Sequence, residues 1–224
     1  MRALSTALPS RQPSVAIADD STVAREGLAA IIRHDRGYTV CGLATDERAT
    51  RDVMEKHQPD LLLIEPFLGH QDGIFLLKQL AGRFSQARIL AVSRRAEEIY
   101  AERALRAGAS GYWMKTSTRE ELIRAIDTVL AGELYVSPRI AMRAVHEVVD
   151  RPTLHPKKPN LTDRELHVFA LSGAGLGTSR IAQELGISPK TVETYHEHIK
   201  VKMGYRDANA LRRGAREWFE VNHH

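Results

Sequence analysis

Asp19 and Asp20 follow the apolar run Val15–Ala18, and Glu65 follows another, Leu61–Ile64. Ser93 and Lys115 close two further runs, Arg88–Val92 and Gly111–Met114. Acids, a hydroxyl and an ammonium at the ends of such runs form a set able to bind oxygen ligands. Asp19, Asp20 and Glu65 together would suit Mg²⁺, a hard cation that takes a few carboxylates and keeps several waters. A hydroxyl, a lysine and a metal would then bind the three oxygens of a phosphoryl group held on a carboxylate. The plain alternative is solvated strand-end acids, or acids that cap helix N-termini.

A second pattern lies between Thr178 and Ile199. Ile181 and Ala182 mark one helix, Gly186 a tight turn, Ile187 an inward contact, and Ser188-Pro189 the start of a second helix. Alanine lets two helices cross closely, and glycine permits the positive φ of the turn. Serine then proline supply an N-cap and a preset first helical residue. This is the spacing of a helix-turn-helix. Val192, Tyr195, Ile199 and Met203 form the buried stripe of the second helix. Lys190, Thr194, Glu197 and Val201 point away from it, flanked by Thr191, Glu193 and His198, and these face the major groove of double-stranded DNA. Glu193 and Glu197 would accept from a cytosine amino group or orient Lys190 and Lys200. Thr178, Arg180, Ser188, Lys200, Lys202 and Arg206 are the expected phosphate contacts. Each could equally be an ordinary solvated helix residue. His196 and His198 are two apart, a spacing that does not aim both at one metal ion.

The elements that must position these residues are legible in the same way. Val15–Ala18, Tyr38–Ala44, Leu61–Ile64, Arg88–Val92 and Gly111–Met114 read as strands. Helical patterns alternate with them at Val23–His34, Glu47–His57, Ile74–Arg83, Glu97–Ala107 and Thr118–Ala131. Ser117-x-x-Glu120 reads as a capping box. The fold class is α/β, a doubly wound five-stranded parallel sheet over residues 14–132. In such a sheet the carboxyl ends of the strands converge on a ligand crevice, which is why the three acids are expected to meet. Residues 133–160 hold Pro138, Pro152, Pro156 and Pro159 around one helix, Ile140–Val149, and read as a linker. Beyond it the pattern is all-α over 161–221, with helices at Asp163–Ser172, Ser179–Leu185, Pro189–Met203 and Asp207–Phe219 and a capping box at Thr162 and Glu165.

With 224 residues and 43% hydrophobic content, the chain has the usage of two small globular domains. Apolar runs such as Leu61–Ile64 are far below the roughly 18 residues of a membrane span, and Met1–Pro13 lacks a signal-peptide stretch. A cytoplasmic protein is expected, in accord with a single cysteine, Cys41, read as a small core residue. Residues 157–224 hold 11 Lys+Arg against 8 Asp+Glu, so any DNA contact is expected there.

Residues 14–132 resemble a response-regulator receiver domain. The resemblance rests on Asp19-Asp20, Asp72-Gly73, Ser93, Ala107-Gly108-Ala109-x-Gly111-Tyr112 and Lys115. It implies a CheY-like fold that takes phosphate from a histidine kinase onto an aspartate after the third strand, with Ser93, Tyr112 and Lys115 as switch residues. Tyr112 could instead be a half-buried strand aromatic. Residues 161–219 resemble the NarL/FixJ (LuxR-type) DNA-binding domain, on Leu161-Thr162-x-Arg164-Glu165, the Ile181–Val192 pattern and Lys202-Met203-Gly204. That implies a four-helix module acting as a homodimer through its last helix, with RNA polymerase as a further partner.

One departure stands out. The phosphoacceptor position reads Glu65, and the proline expected a few residues on is Gly69. The extra methylene displaces an acyl phosphate from the geometry set by Ser93, Lys115 and a metal. A carboxylate pushed outward also imitates a phosphorylated aspartate, with one negative charge where a phosphoryl carries nearly two. If Glu65 pairs with Lys115 and draws in Ser93, the receiver is locked toward its active, dimeric form. The alternatives are a phosphorylation-insensitive dimerisation scaffold, or conventional phosphorylation by a histidine kinase on Glu65 or a neighbour such as Asp20. For the whole chain, a protein-interaction module without specific DNA binding stays open, whereas an enzyme has no separate nucleophile to support it.

Overall fold

A computed structural model of the chain describes residues 11–35, 37–68, 73–149 and 161–223. Gly69, Asp72, Pro152, Pro156, Pro159 and His224 lie outside these residues. Five strands alternate with helices: β1 (Ser14–Ala18), α1 (Thr22–His34), β2 (Thr39–Ala44), α2 (Glu47–His57), β3 (Leu61–Ile64), α3 (Gly73–Arg83), β4 (Arg88–Ser93), α4 (Glu97–Arg106), β5 (Gly111–Met114) and α5 (Arg119–Leu130). The sheet is parallel throughout, in the order β2-β1-β3-β4-β5. Its strands read as continuous aliphatic runs because both faces are covered. Val15, Ile17, Leu61, Leu63, Leu90, Val92 and Trp113 face α1 and α5, while Ala16, Ala18, Leu62, Ile64, Ile89, Ala91 and Tyr112 face α2, α3 and α4. Cys41 is partly buried and packs against the second of these faces; burial raises its thiol pKa.

Helix α6 (Pro138–Val149) follows, then α7 (Asp163–Gly173), α8 (Thr178–Leu185), α9 (Pro189–Met203) and α10 (Ala208–His223). None of the described helices is long and apolar enough to cross a membrane. Phe169 of α7 packs against Tyr205 and Trp218 at ring separations of 6.2 and 5.6 Å. Helices α7 and α10 approach closely at Gly173, where a Cβ would lie 2.3 Å from the Ala215 carbonyl oxygen.

Local signals set the helix ends. Gly186, at φ 60°, ends α8, and Ser188 caps α9 by accepting from Thr191 N at 3.0 Å, with Pro189 in the first turn. Thr162 and Glu165 form a reciprocal capping box at α7. At α5 the capping box sits one residue later than the sequence suggests. Thr118 Oγ1 accepts from Glu121 N and Glu121 Oε2 accepts from Thr118 N. Both Ser117-x-x-Glu120 and Thr118-x-x-Glu121 satisfy the template, and the turn that bonds Ser117 N to Met114 O puts Thr118 at the cap.

Candidate functional site

The register of β1 with β3 pairs Ala18 with Ile64, so Asp19 and Glu65 leave the sheet side by side, tied by Glu65 N donating to Ala18 O at 2.9 Å. Pairing of Ser93 with Met114 places Lys115 directly beyond, with its N–H donating to Ser93 O at 2.8 Å. The side chains then converge. Lys115 Nζ donates to Glu65 Oε2 at 2.9 Å and lies 2.6 Å from Asp19 Oδ2. Ser93 Oγ donates to Glu65 Oε1 at 2.8 Å, and the Phe67 amide donates to the same oxygen at 3.4 Å. Asp19 is fully buried, and its Oδ1 accepts from Ser21 N at 2.9 Å. Two buried carboxylates share one ammonium, which Asp19 Oδ2 meets as an ion pair without a hydrogen bond of its own.

Asp20 does not join them. It is exposed at the rim of a cavity of about 480 Å³ that Glu65 and Lys115 also line. Among the described residues no three His, Cys, Asp or Glu side chains assemble as a metal-ligating group. The expected meeting of three carboxylates is therefore corrected to two carboxylates on Lys115. Lys115 bonds both of the carboxylates that, with Asp20, would hold an Mg²⁺ ion.

The switch residues are joined to one another. Tyr112 is buried, and its hydroxyl donates to the Arg95 carbonyl oxygen at 2.9 Å; burial raises its pKa and keeps the phenol protonated. Arg95 N donates to Ser93 Oγ at 3.2 Å. The Arg95 guanidinium lies over the Phe67 ring, 4.2 Å from its centroid, and donates to Nε2 of His167 on α7. His167 is buried against Phe67 and Tyr100. Burial, with Arg95 and Arg164 nearby, depresses its pKa to about 2, so it is a neutral acceptor. Arg103 of α4 reinforces the contact by pairing with Asp163 and donating to Leu161 O at 3.0 Å. Sequence reasoning missed Phe67, Arg95, Arg103 and His167. Their partners lie 58 to 72 residues away in three of these bonds, beyond any local spacing signal.

On α9 the outward face is as expected. Lys190, Glu193, Thr194, Glu197, His198 and Val201 are exposed, and Val201 retains 83% of its surface. Val192 and Ile199 are buried, with Tyr195 and Met203 packed beside them. The expected phosphate contacts fare differently. Thr178 begins α8 and Arg180 donates to Gln183 at 2.8 Å. Ser188 and Thr191 hydroxyls bond each other at 2.8 Å. Lys200 pairs with Glu197 at 2.9 Å, Lys202 with buried Glu165 at 2.7 Å, and Arg206 with Asp207 at 3.1 Å. Burial pushes the Glu165 carboxyl up, but the Lys202 ammonium and Thr162 outweigh it and hold its pKa below normal. His198 Nδ1 lies 3.8 Å from the same carboxylate.

Comparison with known proteins now meets this geometry. Residues 15–127 match the response regulator receiver domain family, and residues 159–213 match the luxR family of bacterial regulatory proteins. The oxygen regulatory protein NreC of Staphylococcus aureus is 34% identical over 204 residues, covering 88% of this chain and 94% of NreC. A LuxR-family two-component response regulator from Aurantimonas has a similar structure, at 31% identity and TM-score 0.58, over 62% of this chain and 99% of that one. RcsB from Salmonella enterica serovar Typhimurium, bound to promoter rprA with the phosphomimetic BeF3-, shares the fold at 20% identity and TM-score 0.59, covering 91% and 98%.

Proposed function

The chain belongs to the DNA-binding response regulators that join a receiver to a LuxR-type helix-turn-helix, and from that premise we propose that Glu65 holds its receiver in the switched arrangement without phosphate. The observation that carries this is the convergence of Lys115, Ser93 and the Phe67 amide on one Glu65 carboxylate. A phosphoryl group on an aspartate would use the same hydroxyl and ammonium. With Ser93 drawn in, the Arg95 amide follows Ser93 Oγ, and buried Tyr112 closes on the Arg95 carbonyl. The hydroxyl and the aromatic are thus set together by one side chain.

Receiver domains typically hold Mg²⁺ in an acidic pocket. In this chain Lys115 occupies the carboxylates that would serve it, which supports independence from phosphodonor and from a histidine kinase. The division is a receiver over 14–132, a linker over 133–160 and a DNA-binding domain over 161–221. The protein acts in the cytoplasm as a homodimer on double-stranded DNA, with RNA polymerase as a further partner, and it turns over no substrate. Lys190, Thr194, Glu197 and Val201, flanked by Thr191, Glu193 and His198, face the bases. Thr178, Arg180 and Ser188 lie nearest the phosphates.

The test compares mass in solution and DNA affinity of the untreated protein with its Glu65→Gln and Glu65→Asp variants, each with and without acetyl phosphate. The locked receiver requires a DNA-competent dimer in the native protein, loss of that state in Glu65→Gln, and recovery in Glu65→Asp only with the phosphodonor. Identical behaviour of all three would show that Glu65 is no switch.

A further inference from the structure

The recognition helix α9 is poor in free cations. Lys200, Lys202 and Arg206 are each bound to a carboxylate, and Glu193 and Glu197 add negative charge to its exposed face. Lys190 is the exposed α9 lysine with no ion-pair partner among the described residues, and the larger group of unpaired cations stands on the next helix. Arg212, Arg213 and Arg216 of α10 are exposed and have no ion-pair partner among the described residues. Their i, i+1, i+4 spacing puts them on one side of the helix.

These three guanidiniums line a cavity of about 480 Å³, whose other walls are the Gly175–Thr178 segment and His196 of α9. The opposite wall offers backbone. Nothing lies within 4 Å of where a Cβ would stand on Gly175 or Gly177, so a ligand can approach the main chain closely. Gly177 is the N-cap of α8 and supplies no side-chain bond; its carbonyl takes the Arg180 and Ile181 amides, which leaves those of Thr178 and Ser179 without a partner among the described residues. His196 bonds Ser172 Oγ at 3.0 Å through Nε2; burial and Arg212 lower its pKa, so at neutral pH the arginines alone of these residues supply the positive charge.

We propose that this cavity is a phosphate site and that its occupant is the DNA backbone beside the half-site read by α9. The proposal rests on the DNA-binding reading above and extends the footprint to α10. Planar guanidinium forks match phosphate oxygens two at a time, a fit that three unpaired arginines provide and the paired lysines of α9 do not. The placement also suits a backbone. His196 sits between Tyr195 of the buried stripe and Glu197 of the exposed face, so the cavity opens on the flank of α9. A helix lying in the major groove has a wall of phosphates along its flanks.

Binding of the full-length protein to a fluorescent duplex of random sequence, measured over a salt series, tests this. Each phosphate contact contributes about 0.9 to the slope of log K against log salt. Arg212→Gln, Arg213→Gln and Arg216→Gln should each lower the slope by about one, and the triple variant by about two to three. Arg→Lys at the same positions should restore the slope. All are exposed substitutions, and an unchanged thermal midpoint establishes folding. An unaltered slope in the triple variant overturns the proposal while native binding stays steep. A flat response in the native protein would instead sink the DNA-binding reading itself. Two further outcomes also overturn the assignment to DNA. One is saturable binding of inorganic phosphate or a nucleoside diphosphate, lost in the triple variant with the DNA slope unaltered. The other is a change of mass in solution without a change of slope, which would assign the arginines to a subunit contact.

Discussion

Removing the Lys115 ammonium should cost far more than removing the Glu65 charge, although the two groups form one ion pair. The Lys115 and Glu65 side chains retain 11% of their surface and that of Asp19 none, so all three are largely desolvated. Two carboxylates against one ammonium leave a net charge of −1. Lys115→Met strips the one cation bonded to both among the described residues and leaves two buried charges uncompensated, and breaking a buried pair in this way costs about 3–5 kcal/mol. Glu65→Gln instead leaves a one-to-one pair of Asp19 with Lys115 and keeps an amide oxygen for the Ser93 hydroxyl, for a cost of about 0–1 kcal/mol. In the double variant only Asp19 is orphaned, so the loss should fall short of Lys115→Met alone, with a coupling of about 1–3 kcal/mol. Urea unfolding followed by Trp113 fluorescence reads the sheet alone once Trp218, the second tryptophan, is replaced by phenylalanine. With a urea m-value of about 2 kcal/mol per molar, Lys115→Met should lower the midpoint by about 2 M. A Lys115→Met midpoint within about 0.5 M of the parent, or a Glu65→Gln loss as large as that of Lys115→Met, would refute the reasoning.

The contact through His167 should be sensitive to acid. Its folded pKa of about 2 lies below the ordinary value of 6.5, so its stabilisation is complete above pH 6.5 and declines as pH falls toward the folded value. The decline is about 1.4 kcal/mol per pH unit. Small-angle scattering should show a larger radius at pH 5 than at pH 7.5 in the native protein and a constant radius in His167→Gln; equal expansion in both would assign the effect to other groups. Gly173→Ala drives a methyl into the Ala215 carbonyl and should destabilise the helical part by about 1–3 kcal/mol, read as a lower thermal midpoint with the Trp113 transition unmoved. Ser188→Ala removes the α9 cap and should cost about 0.5–2 kcal/mol, seen in the same melt, while Thr191→Ala costs less because its hydroxyl bonds only that cap.

Much of this architecture was legible because it is carried by local pattern. Leu61–Ile64 could be read as a buried strand since it is apolar on both faces, and Gly186-Ile187-Ser188-Pro189 spells a turn and a cap in four residues. Convergence of Asp19, Glu65, Ser93 and Lys115 followed from topology, as all four end parallel strands. What does not follow is burial past the strand end, where Asp19 is buried and Asp20 exposed, and which of two overlapping capping templates the chain uses. The Arg95 contact with His167 is a tertiary pairing between polar residues with no periodicity to announce it. Arg212, Arg213 and Arg216 carry no signal of their own, because a sequence does not disclose which cations have carboxylates nearby.

Glu193 and Glu197 on the exposed side of α9 bear on how such a protein searches a chromosome. Carboxylates in the groove weaken attachment to every duplex through repulsion from phosphate, and only sites presenting amino donors offset that loss. The gain is therefore in the ratio of specific to non-specific binding more than in tightness. Since a genome offers roughly 10⁶–10⁹ competing sites, that ratio sets how many copies of a regulator must be made before one is found at its operator. A recognition helix with fewer free cations leaves fewer molecules stranded elsewhere, and a small cellular pool can then occupy the target.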